Sequence, residues 1–192
     1  MARIVEYPSL RSLSKEIASM INYYIDKNFL DVDICNFLIE EYQKDDNHYS
    51  DRFYEVLSNI NERIKLTIKE IYNENVFIDN FSIRHYLPYE EKNGMDMHQD
   101  HLNWTGADGI TREVEHRIFT TVCVLNQRML GGRFRLEEKY IFPKTGQLIT
   151  LRSPVFHGVE TITQGERFTL LTWYRGDYDR GDLKEVHLSR KD

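Results

Sequence analysis

Residues 157–175 read HGVETITQGERFTLLTWYR, and this stretch decides the class of fold that we expect. It joins two short runs rich in β-branched and aromatic residues, with Gly165 between them. Runs of this kind are typical of β-strands, and glycine, proline and asparagine between them are typical of turns. Comparable runs lie at 76–87, 94–98, 116–126, 132–138, 146–153, 155–161 and 167–175. Roughly seven or eight such strands predict a β-sandwich or jelly roll.

The first third of the chain has a helical pattern instead. Apolar spacing predicts one helix over about residues 12–27, a second with Asp33 as its N-cap, and a long third helix after Asp51. The apolar stripe of the third helix consists of Phe53, Val56, Leu57, Ile60, Ile64, Ile68 and Ile71. We expect this stripe to pack against a sheet, with a groove-binding role as the alternative. The predicted class is α+β, one structural domain with N-terminal helices over 1–75 packed on a strand-rich core over 76–192.

The composition is that of a folded globular protein. The chain has 192 residues, of which 41% are apolar and 12% aromatic. No run of apolar residues is long enough for a transmembrane helix, and the N-terminal residues lack the hydrophobic core of a signal peptide, so we expect a cytoplasmic location. Cys35 and Cys123 are then expected to be buried free thiols, on a helix and on a strand. The net charge of −6 argues against a broad nucleic-acid-binding surface.

Three residues have the types and the spacing of ligands for a mononuclear non-haem iron. His98 and Asp100 form a His-x-Asp pair, and His157 follows 59 residues later (157 − 98). Two imidazoles and one carboxylate bind one face of Fe(II) and leave the opposite positions open. Taken singly each residue has an ordinary explanation, because most histidines bind no metal and aspartate is common in turns. The histidines expected to be structural or solvent-exposed are His48, His85, His101, His116 and His187.

Arg167 lies ten residues beyond His157 (167 − 157), far enough to run along a strand, turn and come partway back. A guanidinium at that place can form a bidentate pair with the distal carboxylate of a dicarboxylate cosubstrate. The alternative is an ordinary charge on the surface of a strand.

With these residues in place, the chain resembles the Fe(II)- and 2-oxoglutarate-dependent oxygenases, and among them the prolyl 4-hydroxylase-like branch. The resemblance extends from about residue 81 to residue 175. Its further motifs are Tyr86-Leu87-Pro88-Tyr89, Gly131-Gly132, His157-Gly158-Val159 and Gly165-Glu166-Arg167. It implies a double-stranded β-helix, a jelly-roll core with which the number of predicted strands independently agrees.

The resemblance also implies which residues hold the cofactors. His98, Asp100 and His157 would bind Fe(II), and Arg167 would bind the far carboxylate of 2-oxoglutarate. O2 is the second cosubstrate that it implies, with ascorbate as an optional reductant. Related halogenases carry a small residue at the position of Asp100, so the carboxylate here favours hydroxylation over halogenation.

Three more residues are expected near the cosubstrate. Tyr86 resembles the cosubstrate-binding tyrosine of the branch, and its hydroxyl could equally serve the core. Strand alternation places Thr120, Val122 and Val124 on one face, so Thr120 contacts 2-oxoglutarate if that face is the inner one. Trp173 stands where nucleic-acid demethylases of the superfamily carry a second arginine, and it therefore argues against base repair.

Two features bear on the substrate. The segment 101–117 contains Trp104 followed by the flexible residues Gly106 and Gly109, which suits a lid that closes over substrate, with a plain surface loop as the alternative. Arg133 stands where the branch usually has an acidic or small residue, and it is expected to border the substrate cleft.

The function that these observations predict is hydroxylation of an unactivated C–H bond, most simply in a peptidyl proline. The first alternative is a hydroxylase of a free amino acid or another small metabolite, because a peptide needs an open groove, a metabolite needs an enclosed pocket, and the sequence shows neither. Two non-enzymatic alternatives are a cupin-like metal-binding protein and a partner-binding protein with an inactive oxygenase fold. Against both stands the presence of all four residues of the expected site.

Overall fold

A computed structural model describes residues 19–44, 49–88, 90, 93–105 and 110–176 of the chain. Two helices lie wholly in this part, α1 (Val32–Gln43) and α2 (Asp51–Tyr72), and residues 19–20 are also helical. The strands are β1 (Tyr23–Asp26), β2 (Phe77–Tyr86), β3 (Met95–His98), β4 (Trp104–Thr105), β5 (Thr111–Arg112), β6 (Arg117–Val124), β7 (Met129–Gly131), β8 (Phe134–Leu136), β9 (Lys139–Ile141), β10 (Leu148–Arg152), β11 (His157–Val159), β12 (Ile162–Gly165) and β13 (Arg167–Arg175).

The strands form two main antiparallel sheets. The larger has the order β1-β10-β6-β13-β2, and the smaller has the order β3-β11-β8-β9. Val122, Ile149 and Leu151 of the larger sheet share a buried cluster with Phe134 and Leu136 of the smaller sheet. The two sheets therefore face each other across a common apolar layer, as in a jelly roll. The predicted double-stranded β-helix is confirmed.

Helix α2 covers the other face of the larger sheet. Its buried side chains belong to one cluster with residues of β6, β10 and β13, among them Phe119, Leu148 and Phe168. Each large apolar side chain buried in this way stabilises the fold by about 1.5–3 kcal/mol. The stripe is thus occupied by the sheet, and the predicted packing is confirmed over the groove-binding alternative.

Two polar contacts fix helix α2 on the sheet. The hydroxyl of Tyr72 donates to the carbonyl of Thr150 at 2.9 Å, and the hydroxyl of Tyr174 donates to Asn61 Oδ1 at 2.9 Å. Both tyrosines are otherwise buried among apolar side chains, where an unpaired hydroxyl would be costly. These bonds set the position of α2 along the strands.

The starts of the helices differ slightly from the prediction. Helix α1 has Asp31 as its N-cap, and Asp33 lies in the first turn, where its charge favours the helix N-terminus. Helix α2 begins after Ser50, whose hydroxyl oxygen accepts from the amide of Phe53 at 3.2 Å. It ends at Asn73, which has a left-handed conformation that asparagine tolerates.

The predicted helix over 12–27 is wrong at its C-terminal end. Residues 12–18 lie outside the described part of the chain, but residues 23–26 form β1, which pairs with β10. Tyr23 and Ile25 contact the cluster between the sheets, whereas Tyr24 contacts the cluster under the helices. This alternation has a period of two, and the aromatic and β-branched residues favour a strand. The apolar residues of this segment lie on two opposite faces of a strand and not on one helical stripe.

The region before residue 76 therefore contributes an edge strand to the larger sheet. The division at residue 75 stays a prediction. Cys35 and Cys123 are buried free thiols on α1 and β6, as expected. Burial raises the pKa of Cys35 to about 11. None of the described helices has the length and apolar character needed to cross a membrane.

Candidate metal centre

The pairing of β3 with β11 brings the two expected histidine ligands together. His98 and His157 are direct partners in this antiparallel pair, and their ring centroids are 4.4 Å apart. Asp100 follows β3 by two residues, and its amide donates to the carbonyl of Ser153 at 3.1 Å. One ligand atom from each of the three residues lies within 4.8 Å of the others. Residues that are 59 positions apart in sequence thus converge on one point.

Both imidazoles are oriented by the same kind of contact. His98 Nδ1 lies 2.8 Å from the carbonyl oxygen of Asp96, and His157 Nδ1 lies 2.9 Å from that of Val155. A carbonyl only accepts hydrogen bonds, so each Nδ1 carries the proton. Nε2 of each ring therefore faces the site, where it can donate to Asp100 or, as a neutral imidazole, offer its lone pair to a metal.

The carboxylate of Asp100 lies between the two rings. Its oxygens are 3.3 Å from His98 Nε2 and 3.2 Å from His157 Nε2, and Thr120 Oγ1 donates to Oδ2 at 2.7 Å. Burial would raise the pKa of Asp100, but hydrogen bonds from His157, His98 and Thr120 outweigh it and hold the pKa well below its usual value. The ionised carboxylate and two imidazole nitrogens are the donor set that Fe(II) takes in such sites.

Access to this centre comes from the side of His98. The side chain of His98 is 37% exposed, whereas those of Asp100 and His157 are 11% and 5% exposed. Burial lowers the pKa of His98, but its contacts with Asp100 and Asp96 more than compensate and leave the pKa raised. One ligand borders solvent and two are enclosed, which leaves an open side for further ligands.

Arg167 is the first residue of β13, and it is 1% exposed. Its Nη1 donates to Thr169 Oγ1 at 3.2 Å, whereas Nε and Nη2 are buried with no hydrogen-bond partner among the described residues. Burial lowers the pKa of Arg167 to about 10, so the guanidinium stays charged at neutral pH. A buried cation with two unused donors is costly unless an anion completes it. Its fork of donors fits a carboxylate, so the residue fits the distal end of 2-oxoglutarate.

Two neighbours shape the surroundings of this guanidinium. Tyr86 is the partner of Arg167 in the β13–β2 pair, and the guanidinium carbon lies 6.0 Å from the centroid of its ring. Burial raises the pKa of Tyr86, so its hydroxyl keeps its proton at neutral pH. Gly132 has a positive φ of 66°, and a Cβ there would lie 3.4 Å from Arg167 Cδ. Glycine leaves room for the arginine stem on that side.

A family model described as the 2OG-Fe(II) oxygenase superfamily matches residues 81–175, the span that carries the triad and Arg167. The chain belongs to this superfamily. It is a 2-oxoglutarate-dependent oxygenase enzyme whose cofactors are Fe(II) and 2-oxoglutarate, and the predicted reaction class is confirmed.

Solved structures of prolyl hydroxylases share the fold of this oxygenase. The viral collagen prolyl hydroxylase of Paramecium Bursaria Chlorella virus-1 is 16% identical, with a TM-score of 0.65, and the match covers 93% of this chain and 98% of the other. A Pseudomonas putida prolyl-4-hydroxylase is 17% identical, with a TM-score of 0.58 and coverages of 85% and 97%. A Trichoplax adhaerens prolyl hydroxylase, in complex with a hypoxia inducible factor peptide fragment, is 16% identical, with a TM-score of 0.58 and coverages of 85% and 90%. No protein in the curated set matches the chain.

The inner face of the larger sheet holds Thr120 and Trp173 side by side. They are direct partners across β6 and β13. Thr120 lies on the same face as Val122, which packs in the cluster between the sheets, so the face named in the prediction is the inner one. Thr120 donates to Asp100, a contact that alternation alone did not indicate. Contacts of Thr120, Trp173 and Tyr86 with the cosubstrate stay predictions.

Asp79 and Arg117 lie beside Trp173 and form an ion pair that the sequence did not single out. Arg117 Nε donates to Asp79 Oδ2 at 2.7 Å, and its guanidinium carbon lies 4.7 Å from the centroid of the Trp173 ring. His116 Nε2 lies 2.6 Å from Asp79 Oδ1, which accounts for one histidine expected to be structural. The signal available in the sequence was weak, since Asp79 and Arg117 are 38 residues apart on different strands.

The two residues expected on the substrate side are only partly described. The backbone of Trp104 lies in β4, which pairs with β5, but its side chain and residues 106–109 lie outside the described part of the chain. Arg133 forms a two-bond ion pair with Glu160, and its guanidinium carbon lies 4.3 Å from the centroid of the Tyr140 ring. The positive charge of Arg133 is therefore paired with the carboxylate of Glu160 within the protein. Its place beside substrate stays a prediction.

Proposed function

We propose that this oxygenase hydroxylates an unactivated C–H bond of a peptidyl residue, most simply proline, and that His98, Asp100, His157 and Arg167 hold its cofactors. The observation that carries the assignment is the buried guanidinium of Arg167 in the same fold as a triad of two imidazoles and a carboxylate. In the part of the chain that the structure describes, its Nε and Nη2 have no hydrogen-bond partner. A cupin-like metal-binding protein would not need a buried cation with two unused donors. A free amino acid or other small metabolite is the alternative substrate.

The triad residues bind the metal through His98 Nε2, His157 Nε2 and the Asp100 carboxylate. With Fe(II) in place, the centre supplies the oxidation by which 2-oxoglutarate and O2 yield succinate and CO2 while one oxygen atom is added to the substrate carbon. The backbone carbonyls on the two Nδ1 atoms keep both rings aimed at the metal, and Thr120 keeps the carboxylate in place. Because the site supplies a carboxylate where a halide would have to bind, hydroxylation is the favoured outcome.

Arg167 orients the cosubstrate. Its two unpaired nitrogens bind the far carboxylate, and the buried position strengthens this contact because little water competes for it. The hydroxyl of Tyr86 is a further donor close to the same carboxylate. The opposite end of 2-oxoglutarate is thereby directed toward the triad, which replaces random approach by a held geometry.

The substrate approaches from the exposed side of His98. The guanidinium carbon of Arg117 lies 4.7 Å from the centroid of the Trp173 ring, and Asp79 holds the arginine in place. A flat indole ring is a good contact for the ring of proline.

Asn103 donates to Glu115 at 2.9 Å and accepts from the amide of Val114 at 2.7 Å. The base of segment 101–117 is therefore tied down, as the hinge of a lid would be.

Structural similarity to prolyl hydroxylases supports the proposal of a peptide substrate. Similar structures include a collagen prolyl hydroxylase and a prolyl hydroxylase in complex with a hypoxia inducible factor peptide fragment.

The test is a screen for succinate formation by the Fe(II)-loaded oxygenase with 2-oxoglutarate and O2. Proline-containing peptides are expected to stimulate succinate release and to gain the mass of one oxygen atom, which mass spectrometry detects. The matched control replaces proline by alanine in the same peptides. Methylated oligonucleotides are expected to remain unchanged. Oxidation of free amino acids with inert peptides would overturn the peptide assignment and leave the oxygenase chemistry in place.

A further inference from the structure

Asn126 lies just beyond the end of β6, opposite the start of β13. The ladder between these two strands stops at the pair Val124 and Thr169, and Leu125 adds one bond from its amide to the carbonyl of Phe168 at 3.0 Å. Arg167 therefore has a strand partner on the β2 side and none on the β6 side. A strand end supported on one side only is prone to fray.

The side chain of Asn126 occupies that side. Its Nδ2 donates to the carbonyl of Glu166 at 3.0 Å, and its Oδ1 accepts from the amide of Phe168 at 2.9 Å. These are the backbone groups on the two sides of Arg167. A carboxamide has the same donor and acceptor pair as a peptide group, so it continues the ladder where the main chain of β6 has turned away. The two partners also leave only one orientation for the amide, because a carbonyl cannot donate and an amide N–H cannot accept.

The β2 side holds the same two neighbours from the other direction. His85 Nε2 lies 2.9 Å from Glu166 Oε2, and the His85 ring stacks on Phe168 with centroids 4.0 Å apart. Glu166 and Phe168 are thus held on both sides, and the backbone of Arg167 between them is held as well. Nε and Nη2 of the buried guanidinium have no hydrogen-bond partner within the described ranges, so its own polar contacts there do little to fix it.

We infer that Asn126 is a positioning residue for 2-oxoglutarate: by spanning Glu166 and Phe168 it holds Arg167 where its free nitrogens meet the cosubstrate carboxylate. The inference rests on the proposed role of Arg167. Two parallel hydrogen bonds to a carboxylate depend on alignment, so a small shift of the strand end weakens both. Asn126 has no contact with the triad among the described residues, so its effect is confined to the cosubstrate.

The experiment measures 2-oxoglutarate binding to the Mn(II)-loaded protein by calorimetry, together with uncoupled succinate formation by the Fe(II) enzyme. Asn126→Ala is expected to raise the 2-oxoglutarate dissociation constant and KM about five- to tenfold, since two hydrogen bonds are lost. The rate at saturating 2-oxoglutarate and the Mn(II) affinity are expected to stay within about twofold of the parent, because the triad geometry is unaffected.

Asn126→Asp retains the acceptor for the amide of Phe168 and loses the donor to the carbonyl of Glu166. Its 2-oxoglutarate dissociation constant is therefore expected to lie between that of the parent and that of Asn126→Ala. Gln127→Ala is the matched control, because Gln127 is the next residue along the chain and its Oε1 accepts from the amide of Thr145 at 3.0 Å. It is expected to bind 2-oxoglutarate like the parent.

Arg167→Gln distinguishes the role proposed for Arg167 from the role proposed for Asn126. If this variant binds 2-oxoglutarate normally, the proposed role of Arg167 is wrong. If it binds weakly while both Asn126 variants bind normally, the role of Asn126 alone is wrong. Loss of tertiary structure in both Asn126 variants, or an equal loss of saturated rate and of Mn(II) affinity, would also overturn the inference, since Asn126 would then serve the fold.

Discussion

Arg167 and Tyr86 face each other across the β13–β2 pair, with the guanidinium carbon 6.0 Å from the centroid of the tyrosine ring. The arginine is buried and charged, and two of its nitrogens have no partner among the residues that the structure describes. In a protein without a ligand, such a group lowers stability. A cosubstrate with a distal carboxylate would convert it into a bidentate ion pair. Function and stability are therefore opposed at this position.

Replacing Arg167 by methionine is expected to reveal that opposition. Without 2-oxoglutarate, the free energy of unfolding should be equal to that of the parent or higher by about 1–3 kcal/mol, because methionine fills the space without a buried charge. Stabilisation by 2-oxoglutarate should be lost. Urea denaturation with and without 2-oxoglutarate measures both effects. A large loss of stability in the ligand-free variant would show that the guanidinium has partners that it uses.

The metal assignment predicts a different pattern. His98→Ala and His157→Ala should lose high-affinity Mn(II) binding, measured by the electron paramagnetic resonance signal of free Mn(II), while the circular dichroism spectrum remains that of the parent. His116→Gln is the control, since His116 contacts Asp79 and lies outside the triad. Parent-like Mn(II) binding in both alanine variants would reject the triad.

Thr120 offers a test between two roles. Thr120→Val keeps the shape of the side chain and removes the donor to Asp100 Oδ2. Metal affinity is expected to fall about tenfold, as is common when a contact that orients a ligand is removed. If Thr120 instead contacts the cosubstrate, 2-oxoglutarate affinity will fall while Mn(II) affinity stays constant. Separate titrations of the two ligands distinguish these outcomes.

Gly132→Ala should damage the cosubstrate site directly. The residue has a positive φ of 66°, and a new Cβ would lie 2.9 Å from Met129 Sδ and 3.4 Å from Arg167 Cδ. We expect a loss of about 1–3 kcal/mol in stability and weaker 2-oxoglutarate binding.

Gly146→Ala is the matched control for Gly132→Ala. It has a φ of 79°, and its Cβ would lie 2.0 Å from the carbonyl oxygen of Leu30. It should therefore destabilise the protein without changing the 2-oxoglutarate affinity of the folded fraction. Equal effects of both variants on that affinity would mean that Gly132 acts only through stability.

The strands and the candidate ligands were accessible from the sequence because both depend on local spacing. A period of two along β6 correctly placed Thr120 and Val122 on one inner face. The same local reasoning failed at β1, where Tyr23, Tyr24 and Ile25 fit both a helical stripe and an alternating strand. Only the hydrogen bonds offered by β10 decide between these, and β10 is more than a hundred residues away.

The sequence by itself therefore determined the chemistry: a His-x-Asp pair, a distant histidine, an arginine ten residues beyond it, and a strand pattern able to enclose them. The tertiary structure alone decided which side chains support these groups. Thr120 meets Asp100, Asp79 meets Arg117, and Asn126 spans the neighbours of Arg167. Each of these contacts joins residues from separate segments of the chain. The order of strands in the sheets creates such contacts, and no spacing along one chain encodes them.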